Sequence, residues 1–217
     1  MDGTLIDSGP SILGTLEIVF SEARINATRP FDEELIGPPL EIIVRTLLLP
    51  EHKEKEKSLI AAFKQKYDTT GYKNTRLYDG VTSMLNSLTA AGMLLSVATN
   101  KRILPTNKIL SNLKLDYYFQ GIYALDFFNP PMSNKSQMLK ELKILFNNDC
   151  CIYVGDRDED AFASKVANIP FIKAGWGYEE KINKIENRIN FTEQLTIEYI
   201  HDVLMKLNVP LKRTKVM

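Results

Sequence analysis

The spacing of apolar positions along this 217-residue chain changes character near residue 78. Before that point it is helical. Ile12, Leu16, Val19, Phe20 and Ala23 recur on one helix face, and Leu59, Ile60, Phe63 and Tyr67 define another. Between them, Pro39 can start the helix "LEIIVRTLL" and Pro50 stops it. In "FDEEL", Asp32 offers an N-cap followed by acidic residues in the first turn. The pattern predicts a small all-helical bundle over residues 11–78, with no strand in it.

After residue 78, short continuous apolar runs alternate with helical patterns. "MLLSVAT" (93–99), "GIYAL" (121–125), "CCIYV" (150–154) and "PFIKA" (170–174) read as buried strands. Residues 81–91, 105–113, 134–147, 158–167 and 193–207 read as helices, and the tail "PLKRTKVM" has so little to bury that it is expected to fray. Strands alternating with helices predict an α/β protein with a Rossmann-like parallel sheet and helices on both faces. The expected organisation is one core domain, residues 1–10 and 79–217, interrupted by a helical insertion at 11–78. Ligands of such sheets bind outside the carboxyl ends of the strands, so the chemistry is to be sought there.

Composition narrows the partners. Lys+Arg and Asp+Glu both total 27, which gives no global reason to expect nucleic acid or an anionic membrane. No apolar run reaches the length of a membrane span, and the first residues do not resemble a signal peptide. Cys150 and Cys151 are the only cysteines and are adjacent. They read as small buried hydrophobes in a reducing, cytoplasmic setting. His52 and His201 fall on expected helices, where packed or solvated roles outweigh catalysis. Trp176 is expected to pack near the site entrance.

At the strand ends the residue types become chemical. Thr99, Asn100 and Lys101 follow one apolar strand, where a hydroxyl and fresh amides can hold a phosphate oxygen; Thr-Asn also simply favours turns. "GDRDED" follows another and places Asp156 and Asp160 four apart, able to face one side at a helix start. Clustered carboxylates there suit a hard cation such as Mg²⁺, or alternatively an acidic cap on a helix dipole. Lys135 stands at the start of the helix in "NKSQML", where its charge opposes the macrodipole. A bound phosphate would compensate, and a solvated surface lysine is the plainer alternative. The opening "DGTLIDS" supplies a carboxylate, a flexible glycine and a hydroxyl within four residues.

In this order the four segments resemble the motifs of the haloacid dehalogenase superfamily, nearest to its phosphoglycolate phosphatase-like members. "DGTLIDS" resembles the end of the first motif, Asp-x-Asp-Gly-Thr; Thr99 in "VATNK" the second; Lys135 the third; and "GDRDED" the fourth. "AGWGY" (174–178) is similar to the loop after the last core strand, and "IGPPLEIIV" (36–44) to part of the helical cap inserted after the first motif. The resemblance implies a Mg²⁺-dependent phosphatase acting on a small phosphorylated metabolite through an aspartyl-phosphate. It implies that Asp2 is the general acid/base and, through its carbonyl, a metal ligand. Thr99, Asn100 and Lys135 would hold phosphate, with Lys135 catalytic as well. Asp156 would bind the cation directly, and Asp160 would act through water or by orienting the others.

In this register Met1 fills the middle position of Asp-x-Asp-Gly-Thr. The attacking aspartate and the first core strand then belong before Met1. Three expectations follow from that register: a start that lies upstream, a catalytically inactive binding protein, or a strand supplied by another chain or segment. A sheet lacking that strand would expose two inner edges and is expected to be destabilised or to associate. A sugar-phosphate phosphomutase is the rival enzyme class.

Overall fold

The computed structural model describes residues 1–147, 151–178 and 215–217. The chain divides into two units, Asp7–Arg76 and the combination of Met1–Ile6 with Leu77–Met217. These divisions fall within a few residues of the expected 10/11 and 78/79. The two crossings are the short strands β1 (Ile6–Asp7) and β2 (Arg76–Leu77), which pair with each other.

The first unit is helical. Helix α1 (Gly9–Glu22) carries Pro10 in its first turn, where a missing N–H costs nothing, and buries Leu16, Val19 and Phe20. Helix α2 (Leu40–Leu47) buries Ile43, Val44 and Leu47, and α3 (Glu56–Thr69) buries Leu59, Phe63 and Tyr67. Leu16, Val19, Phe20, Leu59, Phe63 and Tyr67 belong to the stripes that the sequence period picks out, whereas Ile12 and Ile60 are half-buried and Ala23, past the end of α1, is exposed. Asp32 does cap, accepting from the Glu34 amide at 3.2 Å, but what it starts is the short 3₁₀ turn Glu33–Leu35. Beneath α1 lies a buried hydroxyl cluster, with Ser11 Oγ 3.1 Å from Thr75 Oγ1 and Thr15 Oγ1 donating to the Ser11 carbonyl at 2.7 Å.

The second unit is the α/β core. After α4 (Val81–Ala90) come β3 (Leu94–Thr99), α5 (Ile103–Asn112), β4 (Phe119–Ala124), α6 (Lys135–Leu145), β5 (Cys151–Gly155), α7 (Asp158–Val166), β6 (Phe171–Lys173) and β7 (Lys215–Val216). The sheet order is β4-β3-β7-β5-β6, and every pairing is parallel. Met138, Leu139 and Leu142 of α6, Tyr153 of β5 and Ala163 of α7 pack into one core cluster. Cys151 belongs to that cluster, a small buried hydrophobe as expected, while Cys150 lies outside the described residues. His52 falls in the 3₁₀ turn Pro50–Lys55, whereas His201 and the helix expected at 193–207 lie outside the described residues.

One expectation is overturned. Of the tail expected to fray, residues 210–214 lie outside the described residues, but 215–217 do not fray: Lys215–Val216 form the central strand, paired to Leu94–Leu95 on one side and to Cys151–Ile152 on the other. The Met217 amide donates to the Ile152 carbonyl, and its own carbonyl accepts from the Val154 amide, both at 2.9 Å. Val216 and Met217 are buried. The physical reason lies in the sheet. β3 and β5 each present an inner row of backbone donors and acceptors, and leaving those rows unpaired in the interior costs more than ordering three residues.

Candidate active site

Parallel strands all end on one side of the sheet, so the residues following β3 and β5 are brought to a common edge. The opening loop joins them. The Met1 carbonyl accepts from the amides of Thr4, Leu5 and Ile6, and the Gly3 amide donates to the Ile6 carbonyl at 2.9 Å, which coils residues 1–6 into a tight turn. Gly3 sits at φ +71°, a left-handed conformation that favours glycine.

Asp156, directly after β5, is the packing centre. It is 3% exposed. Its Oδ1 accepts from Thr4 Oγ1 at 3.3 Å and its Oδ2 from the Tyr178 amide at 3.2 Å. Both neighbouring loops approach it at glycines. A Cβ on Gly3 would fall 2.0 Å from Asp156 Oδ2, and one on Gly177 would fall 2.2 Å from Asp156 Cβ and 2.6 Å from the Gly3 carbonyl oxygen. Trp176 closes the same junction, its indole N–H donating to the Thr4 carbonyl at 3.0 Å. Burial, more than the nearby Asp160 charge, pushes the Asp156 carboxyl above its ordinary range.

Asp160, in the first turn of α7, is bound on all sides. Its Oδ1 accepts from Lys135 Nζ and from the Tyr153 phenol, and its Oδ2 accepts from the Asp156 and Arg157 amides at 3.2 and 3.1 Å. Burial alone would raise its carboxyl, but the Lys135 charge and hydrogen bond outweigh it and hold it below the ordinary range. Lys135 is buried, so the solvated alternative is gone. Asn134 caps α6 by accepting from the Gln137 amide at 2.9 Å, which fixes the helix start that carries this lysine.

On the β3 side, Thr99 is buried and its Oγ1 accepts from the Lys101 amide at 3.1 Å. Asn100 gives its side-chain N–H to Glu159 at 3.0 Å, so a phosphate would have to meet its backbone amide instead. Its Oδ1 is a buried acceptor with no partner among the described residues. Asp2 forms an ion pair with Lys101, Nζ to Oδ1 at 3.3 Å.

These groups share one centre. The Met1 amino group is buried, which pushes it below its ordinary range, and Asp2, Asp160, Asp156 and Lys135 all act on it electrostatically. Lys135 and the segment carrying Asp156 and Asp160 thus act on the opening loop, which itself carries Asp2. Two participants carried no assigned role in the sequence. Lys101 stood in view beside Thr99, and only the fold pairs it with Asp2. Tyr153 reads as one more apolar position of β5, and its hydroxyl gives no periodic signal.

Among the described residues, no three His, Cys, Asp or Glu side chains stand together as a metal cluster. The reason is that Asp160 has turned to Lys135 and Asp2 to Lys101. Mg²⁺ does not require such a cage; it is held by one or two carboxylates with waters and substrate phosphate completing the shell. A buried carboxylate pushed toward protonation, and a buried oxygen acceptor without a donor, both suit a cation with its waters. The donor set fits Mg²⁺ on those terms.

A family model described as haloacid dehalogenase-like hydrolase matches residues 1–174. The phosphoglycolate phosphatase of Rhodobacter capsulatus is 30% identical over 186 residues, covering 83% of this chain and 84% of the relative. The tyrosine-protein kinase PtkA of Mycobacterium tuberculosis is 27% identical over 212 residues, covering 94% of this chain and 70% of the relative. Among solved structures, a haloacid dehalogenase-like hydrolase from Streptococcus pneumoniae superposes with a TM-score of 0.73 at 18% identity, covering 100% of this chain and 90% of that one, which is a likeness of fold.

Proposed function

The chain belongs to the haloacid dehalogenase-like hydrolase family, and from that premise we propose that it hydrolyses a small phosphate monoester with Mg²⁺ as cofactor. The observation that carries the proposal is the geometry at the strand ends: Thr4 of the opening loop donates to Asp156, and Asp160 accepts from both the Asp156 amide and Lys135. The relatives' names point the same way, since a phosphoglycolate phosphatase and a tyrosine kinase both handle a phosphoryl group.

In this reading the reaction begins with an attacking aspartate, as the resemblance of the opening loop to Asp-x-Asp-Gly-Thr implies. The aspartate carboxylate forms a bond to phosphorus as the ester P–O bond breaks, giving an acyl phosphate. Asp2 protonates the leaving oxygen, then takes a proton from the water that releases phosphate. Lys101 is paired with Asp2 and orients its carboxyl. Lys135 and Thr99 hold phosphoryl oxygens, with the backbone amides after β3. Asp156 and the Asp2 carbonyl would hold Mg²⁺, which supplies charge neutralisation at the phosphoryl group. Asp160 positions Lys135 rather than binding the cation, because its acceptor sites are already engaged. The helical unit, residues 7–76, would act as the cap that selects the substrate, and the protein would work in the cytoplasm.

Product analysis separates this from phosphomutase chemistry. Incubated with the protein and Mg²⁺, a small phosphate monoester should yield free inorganic phosphate. An isomerised sugar phosphate with no release of phosphate would contradict the proposal.

A further inference from the structure

The Lys135 ammonium is anchored to one carboxylate oxygen. Lys135 Nζ donates to Asp160 Oδ1, and the Tyr153 hydroxyl donates to that same oxygen at 3.1 Å. The two amides on Oδ2 fix the other end of the carboxylate. A carboxylate has about four acceptor directions, and Tyr153 fills the one that Lys135 and the amides leave. The Ala98 carbonyl also lies 3.4 Å from the phenol oxygen, but the ionised acceptor is the stronger claimant for its single proton. Burial, together with the Asp160 charge, pushes the phenol well above its ordinary range, so it stays a donor. The ring itself is held: Tyr153 is 2% exposed, sits in the core cluster with Met138, Leu139 and Ala163, and meets the Phe171 ring at 6.1 Å.

We propose that Tyr153 is a positioning residue for Lys135: by sharing Asp160 Oδ1, its hydroxyl fixes where that oxygen sits and keeps the lysine from being consumed by its ion pair. A lysine is a point charge on a flexible stem with three donors, so its direction must come from its partner. With the phenol in place, Oδ1 divides its accepting capacity, and Lys135 retains N–H groups and unspent charge for a phosphoryl oxygen. Without it, Oδ1 turns wholly to Lys135 and draws the ammonium in. Asp160 and Lys135 come from α7 and α6, so a single buried hydroxyl on β5 ties both helices to the geometry of the site.

This inference rests on Lys135 holding phosphate. The experiment is calorimetric titration with inorganic phosphate in excess Mg²⁺, and separately with Mg²⁺ alone, on the 217-residue chain and its Tyr153→Phe, Lys135→Ala and doubly substituted forms, with thermal unfolding recorded for each. Tyr153→Phe keeps the ring and its packing. It should weaken phosphate binding roughly three- to tenfold, the net scale of one ordinary hydrogen bond, and leave Mg²⁺ affinity unchanged. In the Lys135→Ala background it should cost nothing further, since the two act as a unit. If Lys135→Ala loses phosphate and Tyr153→Phe does not, the inference is overturned while the function stands. Parallel loss of Mg²⁺ and phosphate affinity in Tyr153→Phe, or additive losses in the double form, would reduce Tyr153 to packing and overturn it as well. Unchanged phosphate binding in Lys135→Ala would remove both the function and the inference.

Discussion

Asp156 carries opposite demands. Its folded-state pKa is raised, chiefly by burial, so the protonated form suits the fold and stability from this group is lost as pH rises through the raised value. Wherever the carboxyl is ionised its charge burdens the fold, and on the proposed function a cation would relieve the burden. Asp156→Asn keeps an acceptor for the Tyr178 amide and a partner for Thr4 while removing the charge. In EDTA its melting temperature should exceed the parent's by about 2–4 °C, the shift made by one kcal/mol in a chain of this size. Added Mg²⁺ at a hundredfold excess over Kd should stabilise the parent by about 2.7 kcal/mol and leave the variant unmoved. A variant that melts lower in EDTA and still responds to Mg²⁺ would contradict that account. Asp160 has the reverse sign: its lowered carboxyl gives stability above the unfolded value that is lost as pH falls through the folded one. At this scale the sequence reveals which residues are chemical but not whom they choose. Asp156 and Asp160 look alike in "GDRDED", and only the arrival of Thr4, Tyr178, Lys135 and Tyr153 from distant segments gives them different tasks.

Elements set those tasks by where they begin and end. The four buried strands β3 to β6 were legible because continuous apolar runs stop at Thr-Asn, Gly-Asp and similar turn chemistry, and the same stops define the site edge. Helix α6 begins at Asn134, so the cap and the candidate phosphate lysine share one structural event. Asn134→Ala should cost about 1 kcal/mol in chemical denaturation and weaken phosphate binding at the same time. A stability loss with phosphate affinity intact would show that the cap does not position Lys135. The loop after β6 reaches Asp156 at Gly177, where no side chain fits. Gly177→Ala should therefore abolish the melting shift caused by Mg²⁺ while the protein still folds, and a retained shift would mean that this approach is not needed by the cation.

For the molecule as a whole, the sheet decides more than any one motif. Alternating patterns gave the α/β class, and the division at 76/77 lies near residue 78, where the apolar period changes. What the pattern could not give was β7, because three residues carry no periodic signal and their place is dictated by unpaired edges on β3 and β5. Val216→Asp would put a charge in that central position and should lower stability by about 3 kcal/mol or more, seen as a lower denaturant midpoint or as association in sedimentation. An unchanged midpoint would mean that the sheet does not depend on this strand. On the proposed function, a phosphate ester would be cleaved at the edge that the sheet creates, with Mg²⁺ held at Asp156. The most direct measurement is release of inorganic phosphate from a generic monoester by the protein, with Mg²⁺ or with EDTA, for the parent and Asp156→Ala. The account predicts release with Mg²⁺ only, falling by roughly 10²–10³ in Asp156→Ala; equal release in EDTA, or full activity in Asp156→Ala, would contradict it.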